Sequence, residues 1–146
     1  MAIPSIEFMR AAIAEAEKFK TPFGAALAMG DELFVTAANQ TKELHDATAH
    51  AEVMAIRKLG SHLKKTDLSG FTLYTTCEPC PMCMSAAIWA NLEAVVFGCS
   101  IPQISRHMHQ IDLRCSDVAS KSFREIILRP SFLENECLQL LRNFSK

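Results

Sequence analysis

The chain has 146 residues, 49% of them hydrophobic, and its charges nearly cancel to a formal net charge of −1. This length fits one domain with a sizeable core, and the hydrophobic share favours a folded chain over a disordered one. The balanced charge argues against a protein whose affinity rests on phosphate contacts, although a local basic patch is compatible with it.

The start of the chain, residues 1–5, has neither the basic residues nor the apolar core of a signal peptide. No apolar run reaches the roughly 20 residues of a membrane span. We therefore expect a cytoplasmic protein whose six cysteines are reduced. Cys99, Cys115 and Cys137 are interpreted as small buried apolar residues.

Helices and strands alternate in the first half of the predicted structure. In chain order, the sequence predicts a helix over 5–20, strands over 23–29 and 33–38, a polar loop over 39–47 and a helix over 48–59. Ser5 can cap the first helix and Pro22 ends it. Asp46 or Thr48 is the expected cap of the second helix, and Gly60 its end.

The second half continues the alternation with a weaker pattern. The sequence predicts a connection over 61–70, a strand over 71–75, a helix over 81–90, a strand over 94–97, a loop with room for one short helix over 101–122, a strand over 123–128 and a helix over 132–144. Gly98 is expected to stop its strand. Ser131 is the expected cap of the last helix, with Glu134 in the capping-box position.

The alternation of strands and helices predicts one α/β domain over 1–146, in which helices cover both faces of a sheet. In open α/β sheets, sites gather at the carboxyl ends of strands. Two chemically distinctive segments follow a strand or its loop and open a helix. We therefore expect two helix N-termini to point at one site.

Two cysteines open the third long helix, in the segment Pro79-Cys80-Pro81-Met82-Cys83. Residues three apart lie on the same face of a helix, so Cys80 and Cys83 share a face. Pro81 suits the first helical position, which places Cys80 at the N-cap. A helix N-terminus carries roughly half a positive charge and favours the thiolate, which is the form that binds metal.

A histidine and a glutamate begin the second helix, as His50-Ala51-Glu52, and both are expected in its first turn. One imidazole and two thiolates make three ligands, the number that a catalytic zinc site takes from the protein while it keeps a water. H-x-E with P-C-x-x-C is the signature of zinc nucleobase deaminases, in which the glutamate is not a ligand. We predict that His50, Cys80 and Cys83 bind Zn²⁺.

Three other kinds of site use cysteines at this spacing. A lone C-x-x-C is often a redox pair. Cys77, Cys80 and Cys83 also resemble part of an iron–sulfur run, but Ala87 stands where that run requires a fourth cysteine. A closed zinc site with Cys77 as the fourth ligand would leave Glu52 without a role.

Glu52 is expected to carry protons in the reaction. Zinc lowers the pKa of a bound water to about 7, and two thiolate ligands weaken this effect, so a base beside the water is needed. Glu52 would take the proton, pass it to a ring nitrogen and help to protonate the departing ammonia. The alternative role is a first-turn glutamate that favours the helix dipole. A zinc-stabilised binding protein without activity is the hypothesis from another class, and the intact Glu52 argues against it.

Over most of its length the sequence resembles the purine branch of the cytidine deaminase-like zinc fold, which covers guanine deaminases and tRNA adenosine deaminases. The resemblance rests on Pro22-Phe23-Gly24-Ala25, Asn39, 47–57, 73–83 and Ala87-Ile88-Trp89-Ala90. It implies a three-layer α/β/α fold with a central mixed five-stranded sheet, usually assembled as a homodimer or more. The motifs are highly specific for the fold and weakly specific for the substrate.

The resemblance also implies substrate contacts. Asn39 is similar to the family's substrate-binding asparagine, which reads a ring nitrogen or carbonyl. Phe23 and Trp89 would flank the base, although both also fit core positions. Guanine deaminases use an acidic residue after the fourth strand to accept from two donors of guanine, and a carboxylate suits two parallel donors. Asp112 is the candidate for this role and Asp117 the fallback, in a segment that matches the family poorly.

The purine substrate is open between two enzymes. Residues 76–83 and Trp89 look more like guanine deaminases, which makes deamination of guanine to xanthine and ammonia the main functional prediction. The closing helix over 132–141 is similar to that of tRNA adenosine deaminases, so tRNA is the alternative substrate, and a cytosine or nucleoside deaminase of the same fold is another. His107 and His109 are interpreted as loop residues. Five basic residues form either a patch or scattered surface charge: Lys121, Arg124, Arg129, Arg142 and Lys146.

Overall fold

A computed structural model describes residues 3–145. Met1 and Ala2, on which part of the predicted chain start falls, and Lys146 of the possible basic patch lie outside the described residues. The elements in chain order are α1 (Ile6–Lys18), β1 (Gly24–Met29), β2 (Glu32–Ala38), α2 (Thr41–Leu44), α3 (Ala51–Leu63), β3 (Thr72–Cys77), α4 (Pro81–Trp89), β4 (Ala94–Cys99), α5 (Ile101–Ser105), α6 (Cys115–Ser120), β5 (Ile127–Arg129) and α7 (Glu134–Phe144). Within the described range, no helix combines the length and apolar composition that crossing a membrane requires.

The five strands form one mixed sheet in the order β2-β1-β3-β4-β5. Strand β1 is antiparallel to both of its neighbours, whereas β3, β4 and β5 are parallel. It follows that β2 runs in the same direction as β3 and β4. The carboxyl ends of these three strands therefore meet at one edge of the sheet, beside the amino end of β1.

Helices cover both faces of this sheet, so the predicted three-layer α/β/α architecture is confirmed. Alternate residues of β1 point to opposite faces, as the period of two in a strand requires. Ala25 and Leu27 belong to a buried cluster with residues of α3, α4 and α6. Ala26 and Ala28 belong to a second cluster with residues of α1, α7 and Ile104 of α5.

The start and end of α3 differ from the prediction. The helix begins at Ala51, which makes His50 its N-cap residue and not part of its first turn. Asp46 does not cap α3, because its carboxylate accepts hydrogen bonds from the Thr48 amide at 2.9 Å and from Arg57 at 3.1 Å. Gly60 lies inside the helix, which continues to Leu63 because Lys64 adopts the left-handed conformation (φ 56°) that ends it. The polar loop before α3 contains the short helix α2.

Gly98 lies within β4 and does not stop it as predicted. A Cβ atom at this position would collide with the Sγ and Cβ atoms of Cys137 and with the carbonyl oxygen of Thr76. Glycine is therefore required here because α7 approaches the strand closely. Both β3 and β4 run two residues beyond their predicted ends, which are Thr75 and Phe97.

The part after β4 holds two short helices instead of one. Ser100 begins α5 with a capping box, in which its hydroxyl accepts from the Gln103 amide. Ser131 does not cap α7, because Leu133 is the N-cap residue and has a φ of 50° without a side-chain hydrogen bond. The Phe132 amide donates to the Phe97 carbonyl at 2.9 Å, so pairing with β4 fixes the backbone where a serine cap was predicted.

Candidate active site and metal centre

The two predicted metal-binding segments meet at the carboxyl edge of the sheet. His50 is the N-cap residue of α3 and Cys80 that of α4, and both have extended backbone conformations. Pro81 occupies the first turn of α4, as predicted, and Cys83 follows within that turn. Two positively polarised helix N-termini therefore lie at one site, which favours negative charge on the thiols.

The donor atoms of His50, Cys80 and Cys83 have the spacing that a zinc ion requires. The Nδ1 atom of His50 lies 3.6 Å from the Cys80 sulfur and 3.5 Å from the Cys83 sulfur. Tetrahedral zinc with ordinary bond lengths places a nitrogen and a sulfur ligand about 3.6 Å apart. Among the described residues, these three form the one group of metal-binding type, and Cys77 is not part of it.

The two thiols of this group have pKa values shifted in opposite directions. Hydrogen bonds from Cys83 and His50 lower the pKa of Cys80 to about 4, although its burial acts in the opposite direction. The interaction with Cys80 and burial raise the pKa of Cys83. The hydrogen bond with Cys80 also raises the pKa of His50. A divalent cation would displace protons from these groups, since metals bind thiolate and neutral imidazole.

Glu52 is buried beside this group, in the first turn of α3, with only 5% of its surface exposed. Burial raises the pKa of Glu52 to about 7, and the negative charge of Cys80 adds to the effect. A carboxyl group with a pKa near neutrality can both accept and return a proton, which suits general acid–base catalysis.

A cavity of about 230 Å³ opens onto these groups. Four of the predicted residues line it together with Cys80, namely Phe23, Asn39, His50 and Glu52. The backbone amide of Asn39 donates to the Phe23 carbonyl at 3.1 Å, so β1 and β2 hold these two residues next to each other. The Asn39 side-chain amide lies 3.4 Å from the Thr41 hydroxyl, which also lines the cavity.

The predicted substrate contacts Trp89 and Asp112 do not line this cavity. Trp89 ends α4, about 12 Å from Pro81 at its start, since a helix rises 1.5 Å per residue. Its side chain is 73% exposed and packs against Phe123, with ring centroids 5.1 Å apart. Asp112 is exposed on the loop before α6. The fallback Asp117 is bonded to the Arg114 amide at the start of α6 and also lies outside the cavity.

Glu78 is a cavity residue to which the sequence analysis gave no role. It is 3% exposed, and its carboxylate accepts hydrogen bonds from the Ile101 and Cys115 amides, both at 2.8 Å, and from Arg114. Burial alone would raise the pKa of Glu78, but these donors outweigh it and the pKa is lowered. A carboxylate at the end of a buried strand, directly before the Pro-Cys motif, was the available signal.

The loop between α5 and α6 supplies the opposite wall of the cavity through Met108, His109 and Gln110. The lack of a hydrophobic period predicts an ordinary loop here and gives no sign that it lines the cavity. Arg124 does not belong to the possible basic patch, because its guanidinium is bonded to the backbone of the protein. Its guanidinium donates to the carbonyls of Ala87, Ile88 and Leu92 at the end of α4, at 2.8–3.1 Å.

Comparison with known proteins identifies the family. Residues 4–99 match the family model described as the cytidine and deoxycytidylate deaminase zinc-binding region. The chain is 35% identical over 127 residues to a tRNA-specific adenosine deaminase of Buchnera aphidicola subsp. Baizongia pistaciae, covering 87% of this chain and 76% of that protein. It is 43% identical over 77 residues to a guanine deaminase of Bacillus subtilis, covering 53% of this chain and 49% of that protein.

The fold agrees with a solved structure from studies of A-to-I editing by tRNA:A34 deaminases. The superposition has a TM-score of 0.82 at 27% identity and covers 93% of this chain and 99% of that one. Members of the family are hydrolases that act on carbon–nitrogen bonds in cyclic amidines, and they use zinc. The chain therefore belongs to the cytidine and deoxycytidylate deaminase zinc-binding family, in the branch that holds tRNA adenosine deaminases and guanine deaminases.

Proposed function

We propose that the chain binds Zn²⁺ through His50, Cys80 and Cys83 and hydrolytically deaminates adenosine in tRNA to inosine, in the cytoplasm. The tRNA-specific relative matches 87% of the chain, whereas the guanine deaminase matches 53%. This difference supports the alternative from the sequence analysis over its main prediction, guanine.

The hydrogen-bond acceptors that line the cavity favour adenine over guanine. Guanine presents an N–H and an amino group side by side, and it needs a free carboxylate or an equivalent pair of acceptors. The two carboxylates that line the cavity are Glu52 and Glu78. Glu52 is reserved for proton transfer, and both oxygens of Glu78 already accept hydrogen bonds from the protein. Adenine offers ring nitrogens that accept hydrogen bonds, and these suit donors such as the amide of Asn39.

The size and surroundings of the cavity also support a base that is held within a larger nucleic acid. Pockets for drug-sized ligands are about 300–1,000 Å³, so 230 Å³ suits one base with its ribose outside. Enzymes of this chemistry take the target base out of its stack into such a pocket. Lys42 and Arg106 are exposed and lie close in sequence to the cavity residues Thr41 and Met108. They can contact phosphates locally although the net charge is −1.

The residues of the site divide the reaction between them. Zinc, when bound, lowers the pKa of a water so that it can attack the ring carbon that bears the amino group. Glu52 takes up a proton, transfers it to a ring nitrogen and returns one to the departing ammonia. Phe23 packs against the base, and Asn39 holds a ring nitrogen. The buried position of Glu52 keeps this proton transfer away from bulk water.

A substrate comparison tests this proposal. The zinc-loaded protein is incubated with a tRNA anticodon stem-loop that contains adenosine, and separately with free guanine, adenine and cytosine. We expect inosine in the stem-loop and little ammonia from the free bases, with the Glu52→Gln variant inactive on all of them. Ammonia from guanine without inosine in RNA would replace the proposal by the second candidate, guanine deamination, which the 43% identity to a guanine deaminase favours. Turnover of cytosine alone would contradict both.

We further propose that the chain forms a homodimer through an apolar surface at the end of α4. The side chains of Trp89 and Phe123 are 73% and 65% exposed, and Leu113 beside them is 41% exposed. Aromatic side chains concentrated at one place on a surface are typical of protein interfaces. These three residues are called the Trp89 surface below.

A further inference from the structure

One buried carboxylate holds both ends of the segment that forms a wall of the cavity. An oxygen of Glu78 accepts from the Ile101 amide at 2.8 Å, and its other oxygen accepts from the Cys115 amide at the same distance. The Nε atom of Arg114 donates to both oxygens, at 3.0 and 3.1 Å. Ile101 begins α5 and Cys115 begins α6, so the carboxylate joins two helix starts that are separated in sequence.

The loop between these helices, residues 106–114, is called the wall loop here. It places Met108, His109 and Gln110 on the cavity. Among the described residues, its central part, 109–113, forms hydrogen bonds only within itself, from Gln110 to the His109 carbonyl and from the Leu113 amide to the Ile111 carbonyl. The position of the wall loop is therefore set by the elements on either side of it. Glu78 contacts both of these elements, at Ile101, the first residue of α5, and at Arg114 and Cys115, where the loop joins α6.

Glu78 is itself fixed to the part of the chain that carries the metal ligands. Its backbone amide donates to the Cys99 carbonyl at 2.7 Å, which extends the pairing of β3 with β4. It precedes Cys80 by two positions, so its backbone cannot shift without moving that ligand. Because both of its oxygens are already bonded to the protein, the carboxylate has no free acceptor directed at a substrate.

We propose that Glu78 is a positioning residue, which sets the choice of substrate by holding the wall loop against the cavity and takes no part in proton transfer. The identity of the substrate in this inference rests on the proposed function. The link between Glu78 and the wall loop does not. An experiment can therefore contradict the proposed substrate and the link between Glu78 and the wall loop separately.

The test compares Glu78→Gln with Arg114→Gln, and Glu93→Gln, at an exposed position at the start of β4, is the matched control. A glutamine at position 78 keeps the size of the side chain, but its NH₂ group would face a backbone N–H, so one end of the wall loop is released. We expect KM for the stem-loop to rise about tenfold or more, as the loss of a charged hydrogen bond implies. We expect kcat to stay within about threefold and the zinc content to be unchanged, because the ligands and Glu52 are intact.

Two further readouts do not depend on turnover. Arg106 and Arg114 are trypsin sites at the two ends of the wall loop, and Arg106 is exposed. Glu78→Gln should speed cleavage there and speed hydrogen exchange over 106–115, while Glu93→Gln changes neither. Arg114→Gln keeps the hydrogen bonds that the Ile101 and Cys115 amides donate to Glu78, and it should raise KM less than Glu78→Gln does. If Glu78→Gln does not fold, Arg114→Gln tests the proposal in its place. The Arg114 side chain is 43% exposed, so its replacement leaves the core intact.

The outcomes separate the two hypotheses. Faster cleavage of the wall loop with a raised KM and an unchanged kcat supports the positioning role. A loss of thermal stability alone, with KM, cleavage and exchange as in the parent chain, overturns it, and so does a fall in kcat with KM unchanged. Faster cleavage in a chain that deaminates no RNA would overturn the proposed substrate and leave the link between Glu78 and the wall loop standing.

Discussion

The Nδ1 atom of His50 lies 3.5 Å from the Sγ atom of Cys83, although 33 positions separate the two residues. The fold brings donor atoms from two distant segments close enough to share one metal ion, so zinc binds the folded state and should add to its stability.

Removal of one ligand should abolish zinc binding. We expect Cys83→Ser to contain no zinc by elemental analysis and to be inactive, because two remaining ligands hold the ion poorly. A chelator should lower the melting temperature of the parent chain, since the metal binds the folded state, and leave that of Cys83→Ser unchanged. Cys115→Ala removes a buried thiol outside the site and is the control, which should keep its zinc. Full activity of the chelated parent chain would contradict the mechanism.

Replacement of the proton carrier should remove activity and keep the site. We expect Glu52→Gln to lower kcat about 100- to 10,000-fold, the usual effect of losing a general acid–base group. Its zinc content should equal that of the parent chain, because Glu52 is not among the three grouped donors. The measurement is inosine formation in single-turnover kinetics. If Glu52→Gln leaves every measured activity unchanged, Glu52 does not carry protons. The hypothesis of a zinc-stabilised binding protein without deaminase activity would then be favoured.

The same substitution should change how stability depends on pH in chelated protein. The pKa of Glu52 is raised to about 7 from an ordinary value of 4.5. The folded state is therefore favoured by protonation: this stability is fully present below pH 4.5 and is lost as the pH rises through about 7. The difference corresponds to up to about 3 kcal/mol.

Glutamine at position 52 cannot ionise, so Glu52→Gln should be more stable than the parent chain at pH 8 and nearly equal to it at pH 4.5. Urea unfolding of both chelated proteins at the two pH values measures this. An equal difference at both values would show that burial does not perturb this carboxyl group.

Arg124 should matter for stability although it lies outside the cavity. It donates to three carbonyls at the end of α4, the helix whose start carries both cysteine ligands. We expect Arg124→Ala to lower the free energy of unfolding by about 2 kcal/mol, since hydrogen bonds from charged groups are lost. Arg129→Ala, at an exposed position, should change it by less than about 0.5 kcal/mol. Equal effects of the two substitutions would contradict the capping role.

The Trp89 surface should be where two copies of the chain meet. We expect the parent chain to have the mass of a dimer in light scattering, and Trp89→Ser with Phe123→Ser to shift it toward one chain. Leu44→Ser removes an apolar side chain that is 49% exposed elsewhere and is the control. A monomeric parent chain, or a dimer that both substitutions leave intact, would contradict this interface.

The metal centre could be predicted from sequence because its residues stand at helix starts. Proline and paired cysteines at the start of α4 are local signals, and they place Cys80 and Cys83 whatever the rest of the chain does. The exact start of α3 was missed by a few residues because Asp46 orders the preceding loop instead of capping the helix. The prediction therefore placed His50 in the first turn of α3, whereas it is the N-cap residue. Its neighbours at the metal centre are the predicted ones.

The features that the sequence does not predict depend on contacts between distant parts of the chain. Trp89 is assigned correctly to α4, but the position of its ring is set by Phe123, which lies far along the sequence. Gly98 resembles a strand stop until Cys137 is seen beside it. The wall loop has no periodic pattern, and the residues that flank it are bonded to Glu78, which lies far from them in the sequence. Such long-range contacts leave no local signal.

The residues that line the cavity come from two separate parts of the chain. His50, Glu52 and Cys80 lie within residues 4–99, which match the zinc-binding family model, whereas Met108, His109 and Gln110 of the wall loop lie after them. A substitution at one of these three positions therefore alters the lining of the cavity without replacing a metal ligand or the proton carrier.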